Sequence, residues 1–283
     1  MIYLIFSILV SSLLYVVFKL FKQFKINTLH AIICNYYVAF LFGIAMSDSQ
    51  LGLSEVIKAS WIWGTLILGI LFIVIFNIMG ITAQRSGVAV TSVATKMSVV
   101  IPVIFGILVY NETASAFKII GILLALVAVY LSSVKSKEGF KWRNILFPIL
   151  LFLGSGIIDT SLKYLETNYV PANQIEIFST SIFGFAGLFG TFYILLKGNL
   201  KIHWKSVLGG IALGIPNYYS IVFILNALST KGLESSTVFT VNNVSVVMFS
   251  TLLGLLVFKE RLLLKNWVGI GLAILSIILV IYT

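Results

Sequence analysis

Along the chain, long apolar runs are separated by short polar breaks. Ten runs stand out, at 2–18, 31–46, 61–83, 88–110, 117–134, 145–162, 175–196, 207–227, 238–258 and 267–282. About 20 apolar residues in a helix cross the roughly 30 Å of bilayer hydrocarbon. The runs do not alternate apolar and polar, as the strands of a membrane barrel would. The pattern therefore predicts an all-α integral membrane protein with ten transmembrane helices. The breaks carry turn signals such as Lys197-Gly198-Asn199 and Lys231-Gly232. The first run has no basic stretch before it and no small-residue cleavage site after it. Lys19, Lys22 and Lys25 follow it instead, so it reads as a retained helix and not as a secretory signal.

Composition narrows the class. Of 283 residues 60% are hydrophobic and 10% charged, with mean hydropathy +1.10. A soluble domain sits near 45–50% apolar and about 25% charged, so a disordered chain and an ordinary cytosolic enzyme are excluded. Cys34 is the single cysteine, which rules out an internal disulfide or a thiolate cluster. His30 and His203 lie near run ends, so no metal site and no cofactor are expected. The net charge of +10 falls between the apolar runs and not along one polar face. That suits a membrane surface and argues against nucleic acid. Fourteen of the 19 Lys and Arg fall in odd-numbered loops, against Lys58, Lys118, Lys163 and Lys231 in even ones. The positive-inside rule then places the odd loops in the cytoplasm and both termini outside. Abundant Ile and Lys with only four Pro point to a bacterial chain, hence an inner membrane. Trp61, Trp63, Trp142, Trp204 and Trp267 flank run ends and read as interfacial anchors.

The chain also repeats itself. Residues 11–19 align with 155–163 at an offset of 144, so that Ser11 meets Ser155 and Lys19 meets Lys163. Leu68-Gly69-Ile70 matches Leu213-Gly214-Ile215, and Gly87 matches Gly232, at 145; Glu112 matches Glu260, and Gly121 matches Gly269, at 148. Residues 1–134 and 145–283 thus read as two copies of a five-helix unit joined by a charged linker, 135–144. Five is odd, so the second copy enters the membrane inverted. Inverted repeats recur in secondary transporters, whose substrate site lies near the midplane between the halves.

The segment Lys96-Met97-Ser98-Val99-Val100-Ile101-Pro102 continues to Tyr110-Asn111-Glu112-Thr113, and a helix with Gly121 follows. It resembles the end of an EamA domain of the drug/metabolite transporter superfamily. Residues 252–260 followed by Trp267-Val268-Gly269 resemble the same pattern in the second half. The resemblance spans the whole chain. It implies two EamA units, alternating access and a small-molecule substrate, often exported against a proton or an exchanged metabolite. Related branches that carry phosphorylated sugars place lysines in the fourth or ninth helix, which implies an anionic group on the substrate. Many drug-exporting relatives lack such a lysine, so a drug or amino-acid exporter with a purely structural Lys96 is the alternative.

Charged groups inside a span are functional candidates by default. Lys96 lies about 12 Å into its helix at 1.5 Å per residue. A lysine near a helix centre costs about 2.5–3.5 kcal/mol, so it needs a cavity or an acidic partner. It reads as an anchor for a carboxylate or phosphate, as a group that exchanges a proton, or as half of a structural ion pair. Thr91, Thr95, Ser98 and Pro102 share one face around it. Ser236, Thr240, Asn243 and Val247 form the matching stripe in the ninth run, with Asn242 adjacent. Pro102 frees a backbone carbonyl and marks a kink suited to gating. Asp159 pairs with Lys163 one turn on, or faces Lys96, or carries a coupling proton. Glu176 is a second coupling candidate. Glu112 and Glu260 close the fourth and ninth runs as interfacial, structural or gating groups. Tyr15, Asn35, Tyr36, Asn77, Tyr218 and Tyr219 are candidates for lining a cavity, and Pro216-Asn217 breaks the eighth run.

Two other classes fit less well. An intramembrane enzyme would have only Ser92 one turn from Lys96 as equipment. A channel would show charged rings or a carbonyl filter. The chain has no ATP-binding motif, so the expected protein is a secondary transporter and not an enzyme, working as a monomer or homodimer in the bilayer.

Overall fold

The computed structural model describes residues 2–46, 53–109, 115–133, 142–198, 201–228 and 235–281. The chain is all-helical there. In order come α1 (Ile2–Gln23), α2 (Thr28–Met46), a short α3 (Leu53–Lys58), α4 (Ile62–Ser86), α5 (Val88–Met97), α6 (Val100–Val109) and α7 (Ala116–Ser133). The second half holds α8 (Trp142–Tyr169), a 3-10 turn (Ala172–Gln174), α9 (Ile175–Leu196), α10 (Trp204–Leu228), α11 (Ser235–Leu256) and α12 (Leu264–Ile281). Seven spans are long and apolar enough to cross a membrane: α1, α2, α4, α5 with α6, α8, α9 and α10. The chain is therefore a multi-pass membrane protein. The apolar helices α7, α11 and α12 complete the bundle.

Several helices outrun the apolar stretches that announced them. Helix α1 continues through Lys19 to Gln23, and α8 runs from Trp142 to Tyr169. Backbone hydrogen bonding does not stop where hydropathy falls, and a lysine in the last turn of α1 suits the negative end of its dipole. Helix α10 passes through Pro216 without a break, contrary to the sequence expectation. The fourth run does break, at Ser98–Val99. Pro102 has no N–H to give the Ser98 carbonyl. That carbonyl is not left free, because the Ile101 amide takes it in a tighter bond of 2.9 Å.

Two apolar clusters hold the bundle together. The larger joins α1, α2, α4, α9 and α10 around Phe18, Phe21, Tyr36, Phe76, Phe183 and Leu213. Its rings meet edge-on, tilted or stacked, with centroids 5.9 Å apart for Phe18–Phe76, 5.4 Å for Tyr36–Phe76 and 6.2 Å for Tyr36–Phe183, the separations that aromatic quadrupoles favour. The second joins α5, α7, α11 and α12 around Val93, Met97, Ala128, Val247 and Ile277. Against lipid, packing and small residues do the joining, since tails are as apolar as Leu. A methyl on Gly69 would lie 3.0 Å from the Ala186 amide nitrogen of α9, and one on Gly214 would lie 2.9 Å from the Asn35 carbonyl of α2. Gly121 lies against Ser276 and Val280 of α12, and Gly269 lies against Ala128 and Ser132 of α7. The Asn266 amide donates to the last carbonyls of α7, Leu131 at 3.1 Å and Ser132 at 2.9 Å, groups that a helix end leaves without partners.

Burial is uneven along the bundle axis. Seven consecutive residues of α5, Val88 to Ala94, are buried, as are five of α1, Leu14 to Phe18. Those segments are enclosed on every side. In α6 only Val100 and Gly106 are buried, and residues 218–224 of α10 are half-buried throughout. The end of the bundle where α1 finishes and α5 begins is thus closed. The opposite end, served by the even-numbered loops, is packed around Trp61 and Phe178 between α4 and α9 but is looser beside α6 and the last turns of α10. An apolar cavity of about 490 Å³ lies there, between Leu68 of α4, Phe105 of α6 and Tyr164 of α8.

The glycine contacts predict an asymmetric response to added bulk. Gly214→Leu should wedge α10 from α2 and cost about 1–3 kcal/mol, as overpacking does. It would be read as a lower thermal midpoint of the detergent-purified protein. Gly271→Ala, where the space is open, should leave that midpoint unchanged or slightly higher.

Candidate functional site

Four of the sequence candidates, Lys96, Asp159, Tyr15 and Thr95, converge at mid-span. Lys96 lies in the last turn of α5, just before the break that Pro102 produces. Asp159 lies on α8, about 15 Å of helix rise from Tyr169. Asp159 accepts a hydrogen bond from the Ser98 hydroxyl at 3.2 Å and stands within electrostatic reach of Lys96. No contact within 4.0 Å closes the two charges into an ion pair. The Tyr15 phenol, buried on α1, faces the Thr95 hydroxyl and feels the Asp159 charge. The cluster therefore joins a half-buried ammonium, a carboxylate and three hydroxyls from α1, α5, the break after it and α8. Asp159 and Lys163 form no ion pair within 4.0 Å.

Asp159 is exposed although it is directed at Ser98, which lies in the break after α5 and is 1% exposed. Ions are too costly to leave facing hydrocarbon, and Asp159 turns toward Ser98 and Lys96. The break beside Ser98 ends the enclosed half of the fourth span, and few residues of α6 beyond it are buried.

The other candidates are placed elsewhere. Thr91 is fully buried, with its hydroxyl on the Gly87 carbonyl at 2.7 Å, and Thr95 bonds the Thr91 carbonyl at 2.9 Å. Tyr36 belongs to the core: it is fully buried between Phe76 and Phe183, and its hydroxyl donates to the Phe72 carbonyl at 2.8 Å. Asn35 is fully buried and accepts from the Asn217 amide at 3.2 Å, which clasps α2 to α10. Both were expected to line a cavity. A buried amide needs partners at both ends, and a neighbouring helix supplied one. Asn77 donates to the Ile73 carbonyl of its own helix at 2.7 Å.

Asn242 is buried and accepts from Ser7 of α1 at 3.1 Å, and Asn243 is buried beside it. Thr240 falls within α11, but its side chain lies outside the described residues, as do Glu112 and the linker residues 134–141. Tyr218 and Tyr219 are half-buried and pack on Phe42 of α2 and on each other. Glu176 is exposed in the first turn of α9 and acts electrostatically on Tyr218. Trp61 is not an interfacial anchor. It is 1% exposed, packs edge-on to Phe178, and donates its indole N–H to Gln174 at 2.8 Å.

Two functional candidates were underweighted by sequence. Ser98 sat in the polar stripe, but no pattern tied it to Asp159, 61 positions away. Glu260 closes the ninth run as expected, yet it is not a free interfacial group. It reaches back to α5 and α1, accepting from the Val88 amide at 2.9 Å and pairing with Lys19 at 3.4 Å.

These features define a multi-pass helical membrane protein with an open charge pair at mid-span. No protein-family profile matches the chain. It is 30% identical over 298 aligned positions to an uncharacterized protein of Haemophilus influenzae, with 99% of this chain and 97% of that one covered. The chain belongs to the same family as that protein. A solved crystal structure shares its fold with a TM-score of 0.61 over 98% of this chain and 94% of the other. At 15% identity that likeness speaks for the fold alone.

The exposure of Asp159 gives a direct expectation. In a Cys34→Ser background, Asp159→Cys should react with a membrane-impermeant maleimide, while Thr91→Cys, enclosed on the closed side of Lys96, stays protected. Equal protection at both positions would mean that no aqueous path reaches mid-span.

Proposed function

We propose that the protein is a secondary transporter that moves a small metabolite across the bacterial inner membrane by alternating access. The observation that carries this reading is the meeting of Lys96 with Asp159 at mid-span, beside a break in the span that bears the lysine. A charge pair held apart inside a bundle leaves room for a solute between its members. In this reading Lys96 holds an anionic group of the substrate, and Asp159 exchanges a coupling proton or binds the far side of the solute. Net movement is driven by that proton or by an exchanged metabolite, and no chemistry is done on the substrate.

Packing supports two inverted five-helix units, 1–134 and 145–283, of the EamA type. The glycines matched by sequence make matched contacts. Gly69 lets α4 approach α9 as Gly214 lets α10 approach α2, and Gly121 and Gly269 seat α7 and α12 on one another reciprocally. Such pairing is what a two-fold axis in the membrane plane requires. With the odd loops cytoplasmic, the closed end of the bundle faces the cytoplasm and the looser end faces outward.

The electrostatic contact with Asp159 favours a second reading, in which Lys96 is structural and the protein is a broad exporter of drugs or amino acids. A thermal-shift screen separates the two. Detergent-purified protein would be tested with organic acids, sugar phosphates, amino acids and cationic drugs, beside Lys96→Ala. Ligand at 100 times its Kd stabilises the folded state by about 2.7 kcal/mol. The expected result is stabilisation by anions that is lost in Lys96→Ala. Stabilisation by cations or neutral solutes that survives the substitution would transfer Lys96 to the structural role. In proteoliposomes, flux should saturate with the stabilising solute; flux that does not saturate would indicate a channel.

A further inference from the structure

We infer that Glu260 is the latch that holds the odd-loop end of the bundle shut, and that it sets the position of the helix bearing Lys96. The inference rests on the transporter reading and names a control of the same site.

One carboxylate ties three elements together. Its Oε1 accepts from the Val88 amide at 2.9 Å, at the first residue of α5, and lies 3.4 Å from the Lys19 ammonium of α1. Both side chains are largely buried, Lys19 21% exposed and Glu260 11%. The Val88 amide is among those that a helix start leaves without an internal acceptor, and a negative charge suits that end of the dipole. Glu260 itself lies in the connection that follows α11, four residues past Leu256. Its amide returns to the Gly254 carbonyl at 3.0 Å, and Lys259 before it takes the left-handed φ of 50° that this reversal needs. The turn therefore throws the carboxylate back over α11, toward α5.

Two glycines make the room. A methyl on Gly87 or on Gly254 would come within 2.7 Å of Glu260 Oε2, and Gly87 also holds a φ of 102° that other residues avoid. Of the three tied elements, α1 and α5 come from the first half of the chain and α11 from the second. The enclosed stretches of α1 and α5 lie directly inside this contact. Opening the closed end requires α11 to part from them. That separation removes the acceptor from Val88 and the counter-ion from Lys19 in one movement. It also frees the start of α5, two helical turns from Lys96.

The test reads access and needs no substrate. Thr91→Cys in the Cys34→Ser background would be treated with a membrane-impermeant maleimide from each face of the membrane in separate vesicle preparations. With Glu260 intact the thiol should stay protected from both faces. Glu260→Gln keeps an oxygen for Val88 but removes the charge that holds Lys19, and Lys19→Ala removes the partner alone. Both should label several-fold faster from the odd-loop face, and Glu260→Ala faster still. Unchanged protection in Glu260→Gln and Lys19→Ala, with their thermal midpoints showing folded protein, would overturn the latch. Faster labelling in a protein that carries no tested solute would keep the latch and remove the transporter reading. Unchanged labelling in a protein that transports would do the reverse.

Discussion

Hydrocarbon cannot solvate a charge or an unpaired backbone group, and this constraint shapes the whole molecule. Every polar atom inside the spans must find a partner in the protein or a route to water. Most find partners close by: hydroxyls of Thr91, Thr95 and Thr82 return to their own helix, and Asn35 and Asn217 satisfy each other between helices. Lys96 and Asp159 do neither completely. They face one another without closing into an ion pair. A pair left open inside a membrane bundle is the departure from thrift that marks this position out.

The break after Met97 links that pair to the shape of the bundle. Proline cannot complete the helical ladder, so the fourth span divides into an enclosed half and a looser half. Lys96 lies at the boundary. Toward the odd-loop end, α5 is surrounded by neighbours and capped by Glu260; toward the other, α6 has few buried residues. One span thereby contributes to both the closed end and the charged middle. Coupling between a gate and a binding position is straightforward when a single short helix carries both.

Close approach of helices depends on small residues, not on a hydrophobic force, because the surrounding lipid is equally apolar. Glycines do this work at α4–α9, α10–α2 and α7–α12. The aromatic cluster around Phe76 then fills the wider space between α1, α2, α4 and α9. A second cluster forms around α7 and α12, and α5, α8 and α11 contribute residues to both, with the charged cluster on α5 and α8 among them.

Sequence by itself determined the class. Runs of about 20 apolar residues leave little alternative to helices across a membrane, and Lys96 and Asp159 stood out because charge is rare there. The fourth span's break was legible in Pro102. The destination of each polar side chain was not. Asn35 and Tyr36 looked as suitable for a cavity as Tyr15 did, yet neighbouring helices bury them in contacts with Asn217 and Phe72. Trp61 had the position of an anchor and became core through Gln174 and Phe178. Glu260 gave no sign that it would reach Val88, 172 positions earlier. Periodicity fixes which face of a helix a residue occupies, but only the packing of distant helices decides whether that face meets a neighbour, lipid or water.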